Sequence, residues 1–276
     1  MSADTLQPPQ TRAGLTLEAK ALTRRFGGFV AVDQVSLRVD PGALVGVIGP
    51  NGAGKSTLFG MLTGFLKADA GSTLLDGHDI TRFPPHQRAR LGIARTFQVP
   101  REFAGLSVRA NLMAAAPDQS GERLLRLFTQ AARIRDQEAA IAVKAEEVAT
   151  FLNLATVLEI SAGSLSGGQK KLLEMGRALM TDPRLMLLDE PFAGVNPVLI
   201  EQIIDRIRDL HGRGMGFLII EHDLAALSKL VGTLHVMDQG RILASGAPDE
   251  VLARDTVRDA YLGGAAIGAM TDGQAA

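Results

Sequence analysis

No cysteine occurs in the 276 residues, so neither a disulfide framework nor a thiolate metal site is possible. That lack fits a reducing compartment, and the cytoplasm is the natural expectation. Tryptophan is also absent and tyrosine occurs once, which leaves aliphatic side chains to fill the core. No stretch reaches the ~18 consecutive apolar residues of a membrane-crossing helix. The opening segment, MSADTLQPPQTR, lacks the apolar run of a secretory signal. Association with a membrane is therefore expected to run through partner subunits. An excess of one charge is missing too: 29 basic residues against 30 acidic ones give a formal charge of -1. Without an overall basic footprint, no nucleic-acid partner is expected.

Hydrophobic residues make up 46% of the chain and charged ones 21%, as in ordinary globular proteins, and 30 glycines imply many tight turns. Residues 1–12 and 263–276 read as flexible tails, which leaves one domain over residues 13–262. Leu15–Lys20 and Gln34–Val39 alternate apolar and polar side chains, as half-exposed antiparallel strands do. Leu44–Ile48 is continuously apolar except for Gly46, which predicts a strand buried on both faces, and a helical run follows over Lys55–Leu66. Ser107–Ala115 and Glu122–Leu154 carry helical spacing without strand signals, so a helical subdomain is expected as an insertion at about residues 99–180. Strands are then expected at Leu185–Leu188, Gly216–Ile220 and Leu234–Met237, with helices at Pro197–His211 and Leu224–Leu230 between them. This alternation predicts an α/β fold, with a mainly parallel core sheet covered on both faces.

Between the Leu44–Ile48 strand and its helix lies Gly49-Pro50-Asn51-Gly52-Ala53-Gly54-Lys55-Ser56-Thr57, which fits the phosphate-loop pattern G-x-x-x-x-G-K-[ST]. Glycines let the backbone curl until its N–H groups converge on phosphate oxygens. Lys55 supplies a cation for the β and γ phosphates, and the Ser56 hydroxyl can ligate Mg²⁺, whose other ligands are mostly water and phosphate oxygen. Asp189 and Glu190 follow the apolar Leu185–Leu188 at the strand edge where α/β ligands bind. Asp189 is expected to reach Mg²⁺ through water, and Glu190 to polarise the water that attacks the γ-phosphate. A glycine-rich turn and a solvated acidic pair are the bland alternatives.

Leu165-Ser166-Gly167-Gly168-Gln169 leads into a helical run, Lys170–Met180. A hydroxyl and glycine amides at a helix N-terminus can make a second anion site. Ser166 as a simple helix cap is the alternative. The run resembles the LSGGQ signature of the ATP-binding cassette (ABC) ATPases. Further elements of that family stand in order: Gln98 in Thr96-Phe97-Gln98 matches the Q-loop, and His222 in Glu221-His222-Asp223 matches the H-loop. Phe26 matches the A-loop, whose ring stacks on adenine; a core ring is the other reading. Arg95-Thr96-Phe97-Gln98, Phe103-Ala104-Gly105-Leu106-Ser107-Val108, Ala193-Gly194-Val195-Asn196-Pro197 and Tyr261-Leu262-Gly263 look like the ATPase subunits of branched-chain amino-acid importers. Asn196 departs from the general pattern, which ends in aspartate there.

The resemblance implies a P-loop NTPase of ABC type with an N-terminal antiparallel β subdomain and the inserted helical one. It implies ATP hydrolysis at two sites shared by a head-to-tail dimer with a second ATPase subunit, a sister or an identical copy. Phe26, the loop Gly49 to Thr57, Gln98, Asp189, Glu190 and His222 then hold ATP and Mg²⁺ from one side. Ser166, Gly167, Gly168 and Gln169 of the partner close from the other. Gln98 joins Ser56 and Asp189 around the metal, and joins Glu190 and His222 in catalysis. Two multi-span permease subunits, an indirectly linked solute-binding protein and a peripheral position on the cytoplasmic face of the inner membrane complete the expectation, with Phe103 and Leu106 as candidate channel contacts. A soluble ABC ATPase acting on nucleic acid or the ribosome is the rival reading. Such proteins usually carry two cassettes or a long coiled coil, and this chain has one cassette and no such heptads.

Overall fold

The computed structural model describes residues 14–96, 101–119, 131–222 and 224–261. Gln98, both predicted tails and the first part of the predicted Glu122–Leu154 helix lie outside the described residues. The first two strands, β1 (Leu17–Phe26) and β2 (Phe29–Val39), pair antiparallel. Both are longer than their alternation indicated, because they continue to a tight reversal at Gly27-Gly28. β4 (Ala70–Leu75) and β5 (His78–Asp79) extend this sheet in the order β2-β1-β4-β5.

The second sheet runs β10-β9-β3-β8-β7-β6, comprising β3 (Leu44–Ile48), β6 (Ile93–Arg95), β7 (Leu185–Asp189), β8 (Gly216–Ile220), β9 (Thr233–Asp238) and β10 (Arg241–Gly246). Five of its strands are parallel and β10 closes one edge antiparallel. Every residue of β3, β7 and β8 is buried. Strand alternation sends Val45, Val47, Leu185, Leu187, Leu218 and Ile220 into one core and Leu44, Ile48, Met186, Leu188, Phe217 and Ile219 into another. The first core is shared with β1, β2 and helix α1 (Lys55–Leu62). The second takes up the helical region and α6 (Pro197–Gly212). Gly46 interrupts the apolar run of β3 for a packing reason: a Cβ there would lie 2.9 Å from Leu227 Cδ2 and 3.0 Å from Leu234 Cδ1.

The helical region contains α3 (Val108–Ala114), α4 (Ala131–Phe151) and α5 (Gly167–Leu179), following the short α2 (Pro85–Arg90). Predicted Ser107 proves to be the cap of α3, its hydroxyl accepting from the Ala110 N–H. The predicted Lys55–Leu66 helix stops at Leu62 instead. There the buried Arg88 guanidinium donates to the carbonyls of Met61 (2.9 Å) and Leu62 (2.6 Å), and Gly64 takes a left-handed φ of 79°. A cation that satisfies the last carbonyls terminates a helix that its apolar sequence would have continued.

Candidate nucleotide site

β3 ends at Ile48 and the chain turns through Gly49–Gly54 into α1. Two approaches in this turn admit only glycine. A Cβ on Gly49 would lie 2.1 Å from the Met237 carbonyl oxygen, and one on Gly54, at φ 96°, would lie 2.2 Å from that of Ala31. No side-chain hydrogen bond caps α1, which leaves its first N–H groups available to a ligand, and Ser56 in its first turn is exposed. Asn51 and Gly52 are exposed, Ala53 is buried and Thr57 half-buried. Lys55 Nζ donates to the carbonyls of Gly49 (2.7 Å) and Pro50 (2.9 Å), so the loop wraps its own cation. Burial pushes the Lys55 ammonium below its ordinary pKa, and the nearby Glu190 and Asp189 carboxylates push it back up.

Asp189 ends β7, nearly buried, and Glu190 follows at a left-handed φ of 50°. Burial raises the Asp189 pKa, and the Arg95 guanidinium, 3.5 Å away, opposes that shift. The Asp189 N–H also donates to Thr96 Oγ1 at 3.2 Å. Glu190 Oε1 lies 2.8 Å from His222 Nε2, and the His222 side chain is 43% exposed. At this distance a hydrogen on Nε2 is donated to the carboxylate oxygen, which accepts it. His222 thus stands beside the second carboxylate at an open edge and is not a filler of the core. Between them works a residue that the sequence reading passed over. Glu221, buried, accepts from the N–H groups of Phe192 (2.6 Å) and His222 (2.9 Å), and so locks the end of β8 to the loop after β7. Its signal was legible: a carboxylate directly between a buried strand and a histidine must find donors.

Phe26 is 46% exposed, which removes the core reading, and the Arg24 guanidinium stacks on it 4.8 Å from the ring centre. Ser166 is indeed a helix cap: its Oγ accepts from Gln169 N–H at 3.3 Å, and Gln169 Oε1 accepts from Ser166 N–H at 3.0 Å. Capping does not withdraw the segment from solvent. Ser166 and Gly167 are exposed, and a Cβ on Gly167 would meet nothing within 4 Å. Gly168 differs, because a Cβ there would lie 1.7 Å from Leu199 Cδ2 of α6. Asn196 caps α6, its Oδ1 accepting from Leu199 N–H at 2.9 Å, a role aspartate would fill equally.

Among the described residues no three His, Asp or Glu side chains converge as a metal site. The donor set of one hydroxyl and one carboxylate suits Mg²⁺ that arrives with a nucleotide, since that ion takes few protein ligands. Apart from the nucleotide residues, a cleft of about 520 Å³ separates α2 and β6 from the helical region, lined among others by Phe65, Arg95, Arg101, Phe103 and Arg177. Of the two predicted channel contacts, Phe103 lines it and Leu106 is exposed outside it.

A phosphate-binding loop at a strand-to-helix turn, facing a carboxylate pair at the end of a parallel strand, defines a P-loop nucleotide hydrolase. The chain belongs to the ABC transporter family, whose model matches residues 32–193, and a model described as a branched-chain amino acid ATP-binding cassette transporter matches residues 241–267. It is similar to the high-affinity branched-chain amino acid transport ATP-binding protein BraF of Pseudomonas aeruginosa, 40% identical over 90% of this chain and 97% of that one. It is also similar to the lipopolysaccharide export system ATP-binding protein LptB of Escherichia coli, 37% identical over 90% of this chain and 97% of that one. Among solved structures, a nucleotide-free ATP-binding cassette from an ABC transporter superposes with a TM-score of 0.79 at 39% identity, over 90% of this chain and 98% of that one. The chain is thus an ATP-binding, ATP-hydrolysing subunit that works with membrane permease components. Among the described residues, no helix is long and apolar enough to cross a membrane.

Proposed function

We propose that this subunit energises the uptake of a small solute, branched-chain amino acids or related amino acids or amides, from the cytoplasmic face of the inner membrane. Its ATP is held in a head-to-tail dimer with a second ATPase subunit, beneath two permease subunits served by a solute-binding protein. The match of the C-terminal residues 241–267 to the branched-chain amino acid model and the relation to BraF support the cargo. The observation that carries the chemistry is the 2.8 Å contact of Glu190 with His222, beside the Lys55 loop. One domain is proposed over residues 13–262, with the helical subdomain inserted at about 99–180.

Within the site, Phe26 stacks on adenine while Gly49, Asn51, Gly52, Ala53, Gly54 and Thr57 wrap the phosphates with Lys55. Ser56 and Asp189, with Gln98, which lies outside the described residues, would hold Mg²⁺. When bound, that ion neutralises charge developing between the β and γ phosphates. Glu190 takes a proton from the attacking water, and the His222 Nε2 hydrogen keeps the carboxylate turned towards the γ-phosphate. Ser166, Gly167, Gly168 and Gln169 of the partner close over the same nucleotide. Capping leaves this role open, because Ser166 Oγ accepts from Gln169 while its own O–H is free to donate. ATP binds the closed dimer better than the open one, and that difference drives the permease through the cleft lined by Phe103.

The test is uptake of labelled leucine into vesicles that carry the complete complex. Glu190→Gln is expected to bind ATP, dimerise stably and lose about 10²- to 10⁴-fold in turnover, with uptake lost alongside. Undiminished hydrolysis would refute the base assignment, and hydrolysis without leucine uptake would refute the branched-chain cargo.

A further inference from the structure

In the proposed dimer the Ser166 segment and Glu190 serve different nucleotides. The signature of one chain closes over ATP held by the other, whereas Glu190 acts on the ATP of its own chain. A direct bond nevertheless joins them inside one chain. Lys171, in the second turn of α5, donates from Nζ to the backbone carbonyl of Glu190 at 2.6 Å. Burial lowers the pKa of this half-buried ammonium, and Glu174, Glu221, Glu190 and Asp189 all act to keep it charged. A charge-assisted bond of this length, set among carboxylates, is a stiff link.

Its target is a residue of the site held in an unfavourable backbone conformation. Glu190 holds a left-handed φ of 50°, unfavourable for a side chain with a Cβ, and such residues keep their conformation only when surrounding bonds fix them. Its N–H donates to the Ile220 carbonyl at 2.9 Å, and its carbonyl also accepts from the Ala193 N–H at 3.2 Å. The first bond belongs to the sheet and the second to a local turn. Lys171 adds a bond from the helix whose N-terminus is the signature.

We propose that Lys171 is a positioning residue that couples the two nucleotide sites. When the partner's ATP engages Ser166 and Gly167, α5 moves as a rigid rod. Lys171, about 6 to 8 Å along that rod, shifts the Glu190 carbonyl and with it the carboxylate against His222. Each site then gains a correctly set base only when the other holds ATP against the signature. Lys170, the adjacent residue, pairs instead with Glu102 at 2.7 Å and provides an internal control.

This inference rests on the proposed dimer and on Glu190 as base, so the experiment includes Glu190→Gln. Hydrolysis is measured against ATP concentration for the full chain assembled with its channel subunits. Lys171→Met is expected to lower kcat by about 10-fold and leave the half-saturating ATP concentration within about two-fold. The Hill coefficient should fall from above 1 to about 1. Lys171→Arg should recover most of both, and Lys170→Met should change neither. Amide exchange over Leu188–Ala193 should quicken in Lys171→Met while the phosphate loop keeps its protection. Unaltered kcat and Hill coefficient in Lys171→Met, or a native Hill coefficient of about 1, overturns the coupling. If Glu190→Gln turns over normally, the catalytic reading falls and this inference with it. If Glu190→Gln is inactive while Lys171→Met matches the native chain, this inference alone falls.

Discussion

Two helix N-termini in this chain are both glycine-rich and both face phosphate in the proposed dimer, yet they are built in opposite ways. α1 has no side-chain cap, and its entry residue is a left-handed glycine. α5 carries a complete capping box made by Ser166 and Gln169. An uncapped helix end leaves its N–H groups waiting for a ligand within the same chain. A capped one is stable on its own and offers only a hydroxyl and two small residues, which suits a surface that must stay folded before its partner arrives. The surroundings agree: glycine is needed in the first turn because the chain's own backbone presses in, whereas at Gly167 nothing does.

The largest effect should follow from the α1 end. Lys55→Ala removes the cation the loop wraps, and ATP affinity measured by titration is expected to fall about 100-fold, on the order of 3 kcal/mol. Unchanged affinity would remove Lys55 from the phosphate site. Gly54→Ala tests the crowding. A left-handed φ of 96° with a Cβ 2.2 Å from the Ala31 carbonyl oxygen should cost about 2 to 3 kcal/mol of stability in denaturant unfolding. The matching substitution at the other helix should separate stability from function. Gly167→Ala meets open space, so stability should stay level or rise by less than about 1 kcal/mol, because alanine favours helix. ATP turnover of the assembled complex should still fall about 10-fold, since the added methyl occupies the face offered to the partner's nucleotide. Native turnover in Gly167→Ala would mean that this face meets no nucleotide, and the comparison would break.

The contrast also explains what the sequence could and could not disclose. β3 and β8 run over the predicted residues because an apolar pentad flanked by turn signals has few other uses. The proposed phosphate loop, the acid pair and the signature stand out in the sequence because each combines particular residue types at fixed spacing. β4, with glycine and serine in AGSTLL, and α2, with the polar PHQRAR, gave no periodic signal and are held by neighbours. The end of α1 was hidden for a similar reason, since Arg88, distant in sequence, supplies the stop. Burial pushes that guanidinium down to about 10, still charged at neutral pH. The contacts of Glu221, Arg95 and Lys171 likewise depend on which strand ends meet, and a motif cannot state that.

The smallest effect concerns the sheet beneath the phosphate loop. His235 on β9 pairs with Val47 of β3, is buried, and binds Ser245 Oγ through Nδ1 at 2.7 Å, while its Nε2 has no partner among the described residues. Burial lowers its pKa from the ordinary 6.5, because a charged imidazole there would lose its hydration. In the unfolded chain the same ring takes up a proton as pH falls through 6.5, and the folded chain refuses it. The unfolded state then binds more protons, so this contribution to stability is present above 6.5 and declines as pH falls towards the lowered folded value. The helical region has no counterpart, since the sequence holds no histidine from residue 99 to 180. Amide exchange compared at about pH 7.5 and 5.5, and corrected for intrinsic rates, should therefore show β3 and β9 losing protection before α5 does. The difference should vanish in His235→Asn. Equal loss in both regions would show that acid reaches the two helix ends through the whole fold and not through the strand that carries the phosphate loop.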